Sequence, residues 1–293
     1  MENVLLLRNA SDEGPDRYET SMISYGYNPI SVAVLETVIT NLDELKCKIS
    51  SGPKEQDLAG VVITSARACE AWITAVSELL STVLLHPLAD WSHVPFYVVG
   101  QATAAALARI RETYDSSLSP KDIRGGAEAG TAERLAHFIL EDLTRESGKS
   151  SLLSLTGDKN RDTLPSILKT GGVELDILQV YATQGSSKFT DDLDNVMRLA
   201  PIDSQAPWGW ITFFAPSAAD FVMPALRKYF TFPASNSESP QVSNVKIVAI
   251  GPTTAVHLRD KLGVFGSVVP PKPNAEELAA AIAKHDSEAP HNL

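Results

Sequence analysis

The sequence predicts a two-lobed α/β protein in which each lobe is a parallel sheet with helices on both faces and one lobe is inserted into the other. Three observations lead there. Short apolar runs alternate with stretches of helical periodicity, the pattern of parallel strands joined by helical crossovers. The pattern occurs twice: "FYVVGQATAAAL" (Phe96–Leu107) reads like "IVAIGPTTAVHL" (Ile247–Leu258), and about 35 residues separate Ser65 from Gly100 and Ala215 from Gly251. At 293 residues the chain is also long for a single hydrophobic core.

Taken in order, "VLLLR" (Val4–Arg8) has the continuous apolar character of a buried parallel strand. A loop with Gly14 and Pro15 leads into a helix through Tyr18, Met22 and Tyr25 that stops at Gly26. "ISVAVLETVIT" (Ile30–Thr40) is strand-forming throughout. From Val61 the pattern becomes regular: "VVIT" is a strand, and Cys69, Trp72, Ile73, Val76, Leu80 and Val83 recur at helical spacing. The strand-turn-helix unit returns at "FYVVG" with "QATAAALARI", and at "SLLSLTG" (Ser151–Gly157) with a helix through Leu164 and Leu168. "LDILQVYATQ" (Leu175–Gln184) reads as one more strand, after which "WITFFAPS" (Trp210–Ser217) and "KIVAIGPTT" (Lys246–Thr254) each lead into a helix.

Helix starts follow at Thr131 and at Asn274, where Glu277 three residues on makes a capping box. "FPASNSESPQVSN" (Phe232–Asn244) is a solvated loop, "GGAEAG" (Gly125–Gly130) a flexible lead-in to a helix, and the polar tail from Lys284 to Leu293 is expected to fray. The regular block lies wholly between "VLLLR" and "WITFFAPS", so the simplest topology inserts it: one lobe from 1–36 and 187–293, the other from 57–171. Crossover linkers span 37–56 and 172–186. Both linkers carry strand-like sequence and are expected to pair into a two-strand β-ladder that acts as a hinge.

Composition narrows the function. A formal charge of -11 and a pI near 5.0 provide no basic stripe for nucleic acid. Hydrophobic content of 44% and a mean hydropathy of -0.04 fit a globular protein, and no apolar stretch approaches the roughly 20 residues of a membrane helix. "MENVLLLR" starts acidic and runs directly into a strand, unlike a signal peptide, and the expectation is a soluble cytoplasmic protein. Cys47 and Cys69 stand in no ligand or disulfide spacing. His86, His93, His137, His257, His285 and His291 show no metal-binding spacing, so no metal is expected.

The chemistry is expected beyond the carboxyl ends of the strands, where open parallel sheets hold ligands. Each strand there ends in small or hydroxyl residues: Thr64-Ser65, Gly100-Gln101 with Thr103 following, Thr156-Gly157, Pro216-Ser217, and Gly251 with Thr253 and Thr254. Such turns present N–H groups at helix N-termini, which favour anions. Capping of the helix by the same residues explains any one turn; five at equivalent positions point to a ligand with several carboxylates held in a cleft. No turn fits a dinucleotide or triphosphate loop. Arg8, Arg67, Lys159 and Arg161 are the cations placed to pair with carboxylates, and Tyr181, on the returning crossover, is the phenol placed to donate a proton.

"ITSARACEAW", "YVVGQATAAAL", "GTAERLAHFI", "TGDKNRDTLP", "VYATQ", "ITFFAPSA" and "VAIGPTTA" resemble, in that order, the motifs of the uroporphyrinogen-III synthases. The resemblance covers nearly the whole chain and implies two Rossmann-like lobes joined by a ladder. It implies a cofactor-free cyclising hydro-lyase of haem biosynthesis: linear hydroxymethylbilane loses water and closes to uroporphyrinogen III with its last pyrrole ring inverted. The substrate's eight carboxylates suit the amide-rich turns. By resemblance Tyr181 falls on the family's cleft tyrosine. Ser65, Arg67, Gly100, Thr103, Gly157, Arg161, Ser217, Thr253 and Thr254 fall on substrate-facing positions. Ala66 and Ala215 depart from the family's usual proline and serine. The partners implied are the tetrapyrrole and, transiently, the preceding pathway enzyme, with the chain a monomer. A non-catalytic two-lobed binding protein and a phosphosugar-binding enzyme are the alternatives that fold alone leaves open.

Overall fold

The computed structural model describes residues 1–11, 14–81, 89–145, 151–204, 207–232 and 245–288. The chain divides into two compact units, one of Met1–Glu36 with Gln184–Leu293 and the other of Thr37–Thr183.

The first unit is built on a four-stranded parallel sheet in the order β11-β10-β1-β2. Its strands are β1 (Asn3–Leu7), β2 (Asn28–Val32), β10 (Trp208–Phe213) and β11 (Lys246–Ala249). All five residues of β1 are buried, as its unbroken apolar run requires. Successive residues point to opposite faces: Leu5 and Leu7 join a core with α7 (Phe189–Ser204), α8 (Pro216–Leu226) and α9 (Pro252–Leu262). Val4 and Leu6 join another with α1 (Arg17–Ser24) and α10 (Ala275–Glu288).

The second unit carries five parallel strands in the order β6-β5-β4-β7-β8. They are β4 (Leu58–Ile63), β5 (Pro95–Val98), β6 (Asp122–Arg124), β7 (Ser151–Thr156) and β8 (Glu174–Gln179). Val61, Ile63, Phe96 and Val98 face α2 (Leu42–Glu55), α3 (Ala66–Ser81) and α4 (Gln101–Thr113). Val62, Tyr97 and Leu152 face α5 (Ala132–Arg145) and α6 (Thr163–Thr170). Trp72, Trp91 and Phe96 meet edge to face, with centroids of Trp72 and Phe96 5.0 Å apart, and both indole N–H groups donate to backbone carbonyls.

In both units the chain starts at a central strand, works outward to one side and then crosses to the other. The strand order therefore reverses between β4 and β7, and between β1 and β10. A ligand crevice opens at such a reversal, outside the carboxyl ends of the strands.

The structure corrects the sequence reading at several elements. Ile30–Thr40 is not one strand: β2 ends at Val32, and β3 (Leu35–Ile39) pairs in a separate two-stranded sheet with β9 (Tyr181–Gly185). Leu175–Gln184 likewise breaks at Val180 into β8 and β9. Of the expected linkers, 37–56 holds α2 and 172–186 holds β8, both packed into the second unit; only β3 and β9 cross. The helix α2 is hidden in the sequence because Gly52 (φ 80°) and Pro53 interrupt its periodicity with a kink. "GGAEAG" is a fixed turn: Gly125 has φ 87°, and a Cβ there would come within 3.0 Å of the Val98 carbonyl, so only glycine fits. The tail is helical to Glu288 with Asp286 partly buried, while 289–293, the loop at 233–244 and Val83 lie outside the described residues.

Candidate active site

At the reversal of the five-stranded sheet, β4 and β7 deliver Ser65 and Gly157 from adjacent strands. Ser65 Oγ accepts the Ala68 N–H at 3.2 Å, capping α3. The Gly157 N–H donates to Asn160 Oδ1 at 3.3 Å, and Asn160 Nδ2 donates back to the Gly157 carbonyl at 2.7 Å, so this turn is closed by its own side chain. Tyr181, at the start of β9, lays its ring against Gly157. The Arg67 guanidinium lies 5.0 Å from the centre of that ring, and its Nη1 donates to Thr183 Oγ1 at 3.4 Å. The phenol hydroxyl makes no hydrogen bond to a described residue. Lys159 and Arg161, on either side of Asn160, are exposed.

The neighbouring strand β5 delivers the start of α4. Gly100 takes φ 80° and ψ 161° and offers no side-chain cap, leaving the first N–H groups of α4 to an outside acceptor. Gln101 is exposed beside a cavity of about 360 Å³ that Arg124, Gly125, Gly126 and Phe138 also line. Arg124 itself is held by Asp122 and Asp142, each at 2.6 Å. Thr103 is buried, and its carbonyl accepts the Cys69 thiol at 3.8 Å. Burial pushes that thiol up to about 12, which keeps Cys69 an inert packing residue.

In the first unit the equivalent edge carries Arg8 after β1, Pro216 and Ser217 after β10, and Thr253 and Thr254 after β11. Ala215 and Gly251 precede α8 and α9 with no side-chain cap, and Pro216 and Pro252 take the first helical position, where a missing N–H costs nothing. Ser217 and Thr253 are exposed, whereas Thr254 is buried. His257 Nε2 and Asp220 Oδ1, 2.7 Å apart, tie α9 to α8.

Arg8 is not a free cation. Its Nη1 donates to Asp16 Oδ2 at 2.7 Å, and its guanidinium packs over Tyr18 and Phe214. Burial opposes charge on Asp16, yet Arg8 and the N–H groups of Ser11 and Glu19 hold its carboxyl below the usual range. Arg8 thereby ties the end of β1 to Asp16, the residue that caps α1.

Each unit thus gathers its own predicted residues along one edge of its own sheet. Two separate roles emerge: Ser65 and Gly157 satisfy their turns internally, while Gly100, Ala215 and Gly251 leave amides uncommitted. Sequence reading missed Asn160 and Thr183. The Gly-x-x-Asn spacing signals an Asx-closed turn, and Thr183 shares a face of β9 with Tyr181 through the two-residue strand period.

A family model described as "Uroporphyrinogen-III synthase HemD" matches residues 16–280. The chain belongs to the uroporphyrinogen-III synthase family. It is 28% identical over 291 residues to the uroporphyrinogen-III synthase of Schizosaccharomyces pombe, covering 98% of this chain and 99% of that protein. It is 26% identical over 283 residues to that of Saccharomyces cerevisiae, covering 95% and 94%. Among solved structures, the uroporphyrinogen-III synthetase of Helicobacter pylori is similar at 18% identity and a TM-score of 0.44, covering 96% of this chain and all 100% of that one. Members of the uroporphyrinogen-III synthase family act on a tetrapyrrole in haem biosynthesis. Among the described residues no helix is long and apolar enough to cross a membrane.

Proposed function

We propose that this chain closes hydroxymethylbilane to uroporphyrinogen III, with Tyr181 supplying the proton that the departing hydroxyl takes. The observation that carries the residue assignment is a phenol with no hydrogen bond to a described residue, at a strand-order reversal and beside the Arg67 guanidinium. In the first step the bond from the terminal methylene carbon to oxygen breaks, and its electron pair leaves with the oxygen. The phenol proton completes a water molecule, and the lone pair of the pyrrole nitrogen steadies the methylene cation left behind. The proton released when a pyrrole carbon attacks that cation to close the macrocycle returns to the phenolate. Arg67 places positive charge beside the ring as negative charge grows on the phenol oxygen. Each unit has its own donors for acetates and propionates: the N–H groups opening α4 with Gln101 and Arg161 in one, and those opening α8 and α9 with Ser217 and Thr253 in the other. Thr103 and Thr254, being buried, act by packing the helix starts in place.

Because the bilane closes unaided to the uninverted isomer, the task of the protein is to hold the terminal rings where inverted closure is faster. Supplying hydroxymethylbilane and resolving the isomers tests this: the inverted product, formed faster than spontaneous closure, is expected. Uninverted product alone at the spontaneous rate overturns the reading. Tyr181→Phe is expected to lower kcat about tenfold or more, since a general acid contributes roughly 10²–10⁴. Unchanged kinetics in that variant reduce Tyr181 to packing. We infer that the chain works in the cytoplasm as a monomer, receiving the bilane from the enzyme that makes it.

A further inference from the structure

Gly157 has a reason to be glycine that its backbone does not supply. It is absent from the residues of positive φ, so its conformation is open to alanine. Gly100, by contrast, has φ 80° and open space where a Cβ would go. At Gly157 a Cβ would overlap Cε2 and Cζ of Tyr181 and come within 2.8 Å of the phenol oxygen. The three atoms nearest to that Cβ all belong to the proposed acid. Its amide and carbonyl are both engaged by Asn160, so the turn that supports the ring is held from behind, and the amide is not offered to a carboxylate.

We propose that Gly157 is a positioning residue: its missing side chain lets the Tyr181 phenol lie on the turn after β7, and this placement sets both the rate and the isomer fidelity of ring closure. The proposal rests on the synthase reading above, and it moves Gly157 from binding substrate to seating the acid. In Gly157→Ala the ring must swing away, because the Asn160-closed turn resists displacement. A shift of about 1 Å in a reacting group costs on the order of 10²-fold in rate.

The experiment compares wild type, Gly157→Ala, Tyr181→Ala and the double variant for kcat, KM, the fraction of inverted product and thermal melting. Expected is a fall in kcat of about tenfold to 100-fold in Gly157→Ala, with KM changed less than about threefold and more uninverted product. In the Tyr181→Ala background, adding Gly157→Ala is expected to change kcat less than about twofold, because residues acting as one unit are non-additive. A glycine needed only for folding would depress both backgrounds alike, and that result overturns the proposal. If Gly157→Ala melts too early to assay, the double variant decides: removing the ring restores the melting temperature to that of Tyr181→Ala, and failure to restore it counts against the proposal. Replacing Tyr181 by a fluorinated tyrosine separates this idea from the reaction. Its fluorine resonance moves in Gly157→Ala whatever the enzyme catalyses, and an unmoved resonance refutes the positioning role while leaving the synthase reading intact. Wild type that yields only the spontaneous isomer sinks the reading of function, and with it the claim about fidelity.

Discussion

Arg8 and Arg67 show how two arginines in comparable positions come to different uses. Each follows a central strand and stacks on a tyrosine, at 4.7 Å for Arg8 over Tyr18 and 5.0 Å for Arg67 over Tyr181. Arg8 is paired with an almost fully buried Asp16, whereas Arg67 is exposed and has only a long hydrogen bond to Thr183. Arg8→Ala should therefore act on stability, by about 2 kcal/mol, because it strands a carboxylate that has lost its charged partner. Arg67→Ala should leave melting nearly unchanged and lower kcat/KM about tenfold, because its charge counts most when negative charge grows on the neighbouring phenol in the transition state. Melting curves and steady-state kinetics on the two variants check both; the opposite pattern contradicts the division of roles. The sequence placed both cations at strand ends, but a neutralising partner eight residues away looks the same in one dimension as a solvated one. Likewise Gly157 and Gly100 both follow strands, and nothing in their local letters says that one seats a ring and the other leaves its amides free.

At the level of elements, the C-terminal helix shows what composition hides. Lys284–Glu288 is polar, yet Asp286 accepts from Tyr27 Oη at 2.6 Å, Trp210 Nε1 at 3.0 Å and Lys246 Nζ at 2.5 Å, which ties α10 to the amino ends of the strands. Burial opposes ionisation of Asp286, but these three donors outweigh it and hold its pKa below the ordinary 3.8. A folded value below the unfolded one means the stability it adds is fully present above about pH 3.8 and is lost as pH falls through the lower folded value. Asp286→Asn should lower stability near neutral pH by about 2 kcal/mol and flatten the loss below pH 4, as read by denaturant unfolding across that range. A wild-type acid limb retained in the variant assigns the effect to other carboxylates. The elements that were legible had unbroken signals: β1 and β4 are continuous apolar runs, and α3 keeps its period over four turns. Those that were not had broken ones. The strand β6 is three residues long, α2 carries Gly52 and Pro53, and the chain leaves one sheet for another at Val180 without a glycine or proline to mark it.

For the whole molecule, the duplicated grammar was legible because a parallel sheet needs the same apolar strand and tight turn each time it repeats. The sequence suggests a discontinuous lobe for a simpler reason: the regular block is contiguous and the remainder is not. Thr37–Thr183 holds its own sheet, its own helices and its own pair of buried tryptophans, Trp72 and Trp91. Expressed alone, residues 37–183 should unfold in one cooperative transition, with fluorescence from those indoles shifting to the red. A non-cooperative transition would show that the segment depends on the rest of the chain for its fold. The helix starts at Gly100, Ala215 and Gly251 carry a last implication. At each of the three the N-cap residue makes no side-chain hydrogen bond to the first turn, as is also true of α2 and α6, but these three follow the carboxyl ends of core strands through a glycine or alanine that has no group to offer. On the proposed function, a carboxylate docked at any one of these ends takes the place that a capping serine or aspartate fills elsewhere, and the ligand then finishes a piece of secondary structure as well as occupying a site.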